Sequence, residues 1–552
     1  MNIRLHQAIL AALAVGTAGT ASAIDITTVP AANILYTGGS TAVDAAFKLY
    51  FYNTTDTTTL CKNDGLVDLY VQNTGAPSKF FAVACNSNPA LVNDGSGNSV
   101  PIAVIKEDNA GSFNGVGGVL NVTFSGSPFT TGGALLYPVI SALTTSNCPG
   151  STVSGTNVQT ITSRKCTGFT TTGVVPNLGF ADVEGTLWGF DTSTLTSGPT
   201  VQIVFAPAVS LGLYHALQAE QGLTVGAEGV ANMPSLTTGQ LSAMYSGQAP
   251  ATGWAGIKNA TGTAVSAQSV PFGNSTGSCW NGTSLQAACT TPPNATAASS
   301  TIYVCRRGHN SGTQISAEIY FNDYNCGTNT YPISNPSLGE CSTESTDGCS
   351  WVQSSYASKT VFAGNGTGDL LDCLQGQDQA GHFAVGYASV DNGSGGDQST
   401  TTRKDFRYVK LDDVVPSIEN AAAGRYKFVA QSFWYAPPAT ASNAATGIAA
   451  TIATVLENTN GTNDGIGSVG SVAGVASASH WTTQGFDGGV LVIPGNNGAA
   501  PSSASATQAT FLANPVSMYW KTKGTTNNCV RYIPYNLATE IAVDGNAAWA
   551  GP

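Results

Sequence analysis

Two arginines stand side by side at the end of an apolar run in Tyr303–Gln314 (YVCRRGHNSGTQ), and a helical pattern, QISAEIYF, follows. This combination suits an anion. A helix N-terminus offers free backbone N–H groups and the positive end of the helix dipole. Ser311 and Thr313 add hydroxyl donors, and Gly312 lets the backbone come close to a ligand. Arg307 adds a planar guanidinium fork matched to an oxyanion. Each hydrogen bond to a charged partner contributes roughly 1.5–3 kcal/mol. Four or five of them reach the roughly 8 kcal/mol that micromolar binding needs. Read locally, the same residues also suit an ordinary helix cap beside surface arginines, with Arg306 a solvated neighbour of Arg307 and His309 a solvent-exposed loop residue.

The elements that must carry these residues alternate strand and helix. NILYTGGSTAVDAAFKLYFYN reads as strand, Gly-rich turn and helix, with Ser40 or Thr41 as the cap. SVPIAVIKEDNAGSFNGVGGVL repeats the theme, VVPNLGFADVEGTLWGF is a third apolar-to-acidic transition, and TVQIVFAPAVSLGLYHALQ is a strong strand followed by a helix. The opening stretch is another such unit, and HFAVGYASV is a short buried strand. This alternation predicts an α/β protein with largely parallel sheets, whose ligands sit beyond the carboxyl ends of the strands. Polar runs at about 121–172, 258–300, 325–365 and 439–510 interrupt the pattern and read as surface loops stapled by disulfides or as small β excursions.

At 552 residues the chain is long enough for two or three domains. Only 9% of its residues are charged, and the formal net charge is −12, which makes nucleic acid and anionic membranes poor partners. Residues 1–23 read as a signal peptide: Arg4, a short apolar core, then Ala21-Ser22-Ala23, so that Ile24 begins the mature chain. Removing Arg4 leaves 19 basic against 32 acidic residues, a net charge of −13. No segment is long and apolar enough to insert in a membrane, and no cysteine closely follows the signal to carry a lipid. The expected location is the periplasm or the cell exterior, where twelve cysteines favour disulfides. Proximity suggests Cys61–Cys85, Cys148–Cys166, Cys279–Cys289, Cys305–Cys326 and Cys341–Cys349, leaving Cys373 with Cys529. No C-x-x-C is present, the five histidines form no ligand spacing, and no metal or cofactor is expected. Gly273-Asn-Ser-Thr-Gly277 fits a nucleophile elbow in letters only, since no buried strand precedes it.

Six segments in order resemble the periplasmic phosphate-binding proteins, the PstS-like and DING-related group. Arg307-x-x-x-Ser311-Gly312-Thr313 resembles the R-x-x-x-S-G-T element of that family. LYTGGSTA resembles its N-terminal Gly-Gly-x-Thr loop, placing Thr41, beside Ser40, on a phosphate-contacting threonine. GFADVEG resembles the loop with the family's phosphate-facing aspartate, which falls on Asp182. Leu236 to Trp254, FAVGYASVD, and Lys410 to Tyr435 resemble three later segments. The family's second-loop serine falls on Ser112, about 70 residues before Asp182, so an insertion must intervene.

The resemblance implies a two-lobed type 2 periplasmic-binding-protein (venus-flytrap) fold with disulfide-stapled insertions. Lobe one would be 24–204 plus 396–552 and lobe two 205–395. Thr41 and Asp182 would then face Arg307 to Thr313 across a cleft that closes on the anion. A carboxylate at an anion site makes sense if the ligand brings a proton to donate, as phosphate does and sulfate does not. The expected function is non-catalytic capture of phosphate or a related oxyanion, with an ABC transporter permease as a possible recipient. The competing readings are a structural or surface assembly protein that kept the fold, and a phosphate-ester hydrolase, for which no metal site or nucleophile speaks.

Overall fold

The computed structural model describes residues 24–44, 59–73, 79–108, 111–122, 133–153, 161–246, 252–272, 301–323, 352–392, 405–437 and 448–457, less a few positions within them, together with isolated residues and short strands elsewhere. The signal segment 1–23 lies outside the described residues.

The strand–turn–helix units predicted from sequence form, and one mixed 16-stranded sheet collects most of the strands. Its first part is built from β1 (Ile34–Gly39), β2 (Val67–Gln72), β3 (Phe80–Asn86), β4 (Pro101–Glu107), β5 (Ile161–Cys166) and β6 (Leu178–Ala181). Here β1 lies parallel between β4 and β6. The remaining neighbours mix directions: β3 runs antiparallel to β4 and β2, while β5 runs parallel to β2. The sheets are thus less parallel than the alternation predicts. A parallel kernel sits next to the site, and antiparallel strands extend it outward.

Two strands link this part to the second. β7 (Thr196–Ser210) is 15 residues long and pairs antiparallel with the later strand Val429–Ala436 over most of its first half. Its second half, Phe205–Val209, pairs with Ala384–Ser389. The second part is built from β8 (Ile302–Arg307), β9 (Val352–Tyr356), β10 (Lys359–Gly364) and β11 (Ala384–Ser389), with β8 parallel to both β10 and β11. Val429–Ala436 is β12, and it returns the chain to β6. Two parallel three-stranded kernels, β4–β1–β6 in the first lobe and β10–β8–β11 in the second, are joined by β7 and β12 into one α/β sheet.

Three helices bear on the site, α1 (Gly111–Leu120) after β4, α3 (Gly312–Asn322) after β8 and α4 (Thr367–Gln379) after β10, while α2 (Leu211–Glu220) follows β7. α1 is built to lie close to the sheet. A Cβ on Gly179 of β6 would meet Val119 of α1 at 2.9 Å. Within the run between α1 and β6, Gly150–Val153 and β5 extend the sheet beyond β2, a small β excursion of the kind expected there.

Three disulfides are described. Cys61–Cys85 and Cys148–Cys166 pair as proximity suggests. Cys305 pairs with Cys373, which overturns both Cys305–Cys326 and Cys373–Cys529. The reason is geometric. Alternation along β8 puts Cys305 on the same face as Arg307, and that face is covered by α4, which carries Cys373. Sequence distance misleads here because the βαβ crossover returns a distant helix to the strand. The pairings Cys279–Cys289 and Cys341–Cys349, and the side chains of Cys326 and Cys529, lie outside the described residues. Among the described residues no helix is long and apolar enough to cross a membrane.

Candidate anion site

Every residue of the site stands where a strand of a parallel kernel gives way to a turn or helix. β1 ends at Gly39, whose φ of +110° belongs to the left-handed region that glycine tolerates. Ser40 follows, fully buried, with its backbone N–H donating to the Phe180 carbonyl at 2.8 Å. That bond ties the first loop to β6. The Ser40 hydroxyl donates to Asp182 Oδ1, and the Ala42 N–H donates to the same Ser40 oxygen at 3.1 Å.

Asp182 is buried just past β6. Its backbone N–H donates to Ser112 Oγ at 3.1 Å, across 70 residues of sequence. The inserted strands therefore occupy the interval without separating its ends. Burial raises the Asp182 carboxyl above its ordinary range, against hydrogen bonds from Ser40 and Ser112 and the positive charges of Arg307 and Lys106. A group so placed holds an acceptor oxygen in a dry, donor-rich site.

The other half comes from the second lobe. Ser311 caps α3, its side chain accepting from Gln314 N–H at 3.4 Å, and Gly312 opens the helix. A Cβ at Gly312 would meet Ser112 Oγ at 2.5 Å and Asp182 Oδ2 at 2.7 Å. The two loops thus meet backbone to side chain, a distance only glycine permits. A further bond crosses at the same level, from Phe113 N–H to the Asn310 carbonyl at 3.1 Å. Thr313 is buried in the first turn of α3.

Arg307 is buried at the end of β8. Its Nη1 donates to Thr367 Oγ1 at 2.7 Å, and its backbone N–H donates to Gln314 Oε1 at 3.2 Å. A Cβ at Gly111 would lie 4.0 Å from Arg307 Nη2, so the guanidinium reaches the start of α1 in the first lobe. Burial lowers the Arg307 pKa, opposed by the carboxylates of Asp369 and then Asp182. An arginine keeps its charge at neutral pH regardless.

The structure brings Ser40, Ser112, Asp182, Arg307, Ser311, Gly312 and Thr313 to one place. Thr41 is exposed, with its backbone carbonyl accepting from Asp44 N–H at 3.1 Å, and its neighbour Ser40 holds the inward position. Arg306 is buried rather than solvated: strand alternation turns it to the opposite face of β8, where its Nη1 donates to the Arg307 carbonyl at 3.2 Å. His309 lies outside the described residues. Of the other histidines, His215 meets the Pro271 carbonyl and His382 meets Gln377 Oε1. Among the described residues no cluster of His, Cys, Asp or Glu is arranged to hold a metal.

Sequence reasoning missed Thr367 and Asp369. The signal was present in GNGTGDLLDC: a Gly-rich turn, then an acid at the third helical position, where Asp369 Oδ2 accepts from Gly366 N–H at 2.8 Å. The preceding strand β10 falls wholly within the run 325–365, which reads as an insertion.

No family model matches this sequence, and no curated protein matches it. Among solved structures, an ABC-type phosphate transport receptor from Vibrio cholerae is similar at 15% identity and a TM-score of 0.26, covering 50% of this chain and 74% of that one. A putative phosphate ABC transporter substrate-binding protein with bound phosphate, from Clostridium perfringens, is similar at 13% identity and 0.25, covering 50% and 73%. PstS from Borrelia burgdorferi is similar at 8% identity and 0.25, covering 73% of this chain and 87% of that one.

Proposed function

We propose that this protein captures phosphate or a related oxyanion between its two lobes, without catalysis. The observation that carries the reading is the meeting of Ser40, Ser112 and Asp182 with Arg307 and Gly312, drawn from both lobes into one buried place where α1, α3 and α4 begin. Helix N-termini and a guanidinium favour an anion, and the single carboxylate of Asp182 favours one that carries a proton. β7 and β12 pair with each other between the two kernels, and β12 pairs onward with β6. The cleft then opens and closes by bending at these two strands. In a periplasmic or extracellular setting the captured anion would pass to an ABC transporter or be held in store.

A ligand screen by calorimetry and thermal shift tests this, with phosphate, sulfate, arsenate and phosphonates. One-to-one binding of phosphate, with sulfate much weaker, is expected. Absence of heat and of thermal stabilisation with all four would overturn the reading.

One observation favours a structural or surface assembly role instead. Gly150–Val153 and β5 lengthen the first lobe's sheet far from the site, stapled by Cys148–Cys166. Under that reading Arg307→Ala and Asp182→Asn leave every property intact, while deleting the insertion abolishes assembly.

A further inference from the structure

Lys106 has a side chain with no exposure, an unusual place for an ammonium group. It stands on β4, one strand from β1, and its Nζ makes three polar contacts. It donates to the Gly39 carbonyl at 3.2 Å, pairs with Asp44 Oδ1 at 2.8 Å, and pairs with Asp108 Oδ1 at 2.6 Å. Gly39 and Asp44 bracket the loop that delivers Ser40. Asp108 opens the turn that delivers Ser112.

We infer that Lys106 is the positioning residue of the first lobe's half-site, one buried charge that fixes the Ser40 loop and the Ser112 loop to each other. This rests on the oxyanion reading for its consequence, though not for its geometry. Lys106 does not touch the place where Ser40, Ser112 and Asp182 meet; it acts through the two loops. A structural lysine holding the core would have partners scattered through the fold. Here the three polar contacts all go to the two site loops; beside them, Nζ lies 5.9 Å from the centroid of the Phe81 ring on β3. Its charge also opposes, with that of Arg307, the upward push that burial gives the Asp182 carboxyl. The neighbouring charges are Asp44, Asp108 and Lys48, with burial and then Asp108 pushing the Asp44 carboxyl up to about 7. The cluster is therefore balanced closely, and removing any one member should be felt at the loop it holds.

The test uses the full chain and four variants: Lys106→Met, Lys106→Arg, Asp44→Asn and Asp108→Asn. Two quantities are read, phosphate affinity by calorimetry and amide hydrogen exchange of ligand-free protein in peptides covering 37–44 and 108–115. Lys106→Met should weaken phosphate at least about tenfold and speed exchange in both peptides, and Lys106→Arg should recover most of both. Asp44→Asn should loosen the first peptide alone, and Asp108→Asn the second alone, so the inference stays testable if Lys106→Met does not fold. Exchange raised evenly over the whole protein, or the two aspartate variants loosening both peptides alike, would overturn it. So would unchanged affinity in a folded Lys106→Met. If wild-type protein bound no oxyanion while exchange followed the predicted pattern, the positioning role would stand and only the oxyanion reading would fall.

Discussion

The two lobes build their halves of the site with the same device and secure it differently. In each, a strand of a parallel kernel runs into a glycine-bearing turn and then a helix. In the first lobe, Gly39 and Ser40 follow β1, and the turn is held by electrostatics, through buried Lys106 and its two aspartates. In the second, Arg307 ends β8, and the helix that touches it is held covalently. Cys305, two residues before Arg307, is bonded to Cys373 on α4, whose first residue is Thr367. The difference teaches where each half is vulnerable. The first should respond to pH and charge, the second to reduction.

The largest effect should come from the point where the halves touch. Gly312→Val places a side chain against Asp182 and Ser112, so phosphate binding should weaken by at least about a hundredfold, with a lower unfolding temperature of the free protein as the two loops are pushed apart. Calorimetry and thermal unfolding together check this; a valine variant that binds normally would show that the halves do not clamp one ligand.

Breaking Cys305–Cys373 by a double Cys→Ser change should come next. The bridge spans a sequence separation of 68 and stabilises by about 4 kcal/mol on the chain-entropy argument. The expected result is a lower unfolding temperature, with faster hydrogen exchange at the start of α4 and unchanged exchange around Ser40. Equal loosening of both halves would erase the contrast drawn between them.

Asp182→Asn should relax discrimination against sulfate more than it weakens phosphate. Equal losses for both anions would count against a proton-accepting role for that carboxylate.

The smallest effect is in pH. The Asp44 carboxyl is raised from 3.8 to about 7, by burial first and by Asp108 second, against the pull of Lys106 and Lys48. A raised acid binds more protons folded than unfolded, so its contribution is present below about pH 4 and is lost as pH rises through about 7. Asp44→Asn should remove that slope, seen as wild-type and variant unfolding temperatures that diverge between pH 4.5 and 7.5. Parallel curves would place the Asp44 titration elsewhere.

Much of this was readable in the chain. The strand–turn–helix units announce themselves by apolar runs ending in Gly and Ser, and the resemblance of Arg307-x-x-x-Ser311-Gly312-Thr313 to the family element singles out Arg307 over Arg306. Strand alternation gives the physical reason, since the two point to opposite faces of β8. Ser112 was legible only through the resemblance, since a sequence separation of 70 from Asp182 gives no local sign that the two meet. Lys106 could not be found from pattern. In PIAVIKED it reads as a polar strand end, and only the convergence of Gly39, Asp44 and Asp108 buries it. The Cys305–Cys373 bond escaped for a similar reason, since proximity in sequence carries no knowledge of which helix covers which strand.

The central claim is that residues from the two lobes form one oxyanion site. Phosphate titrations of wild-type protein and of Arg307→Ala, run side by side with thermal unfolding of both, test it most directly. The account predicts a single phosphate site in wild-type protein, weakened at least about a hundredfold by the substitution while the variant remains folded. Equal phosphate affinity in the two proteins, or no binding in either, would contradict it.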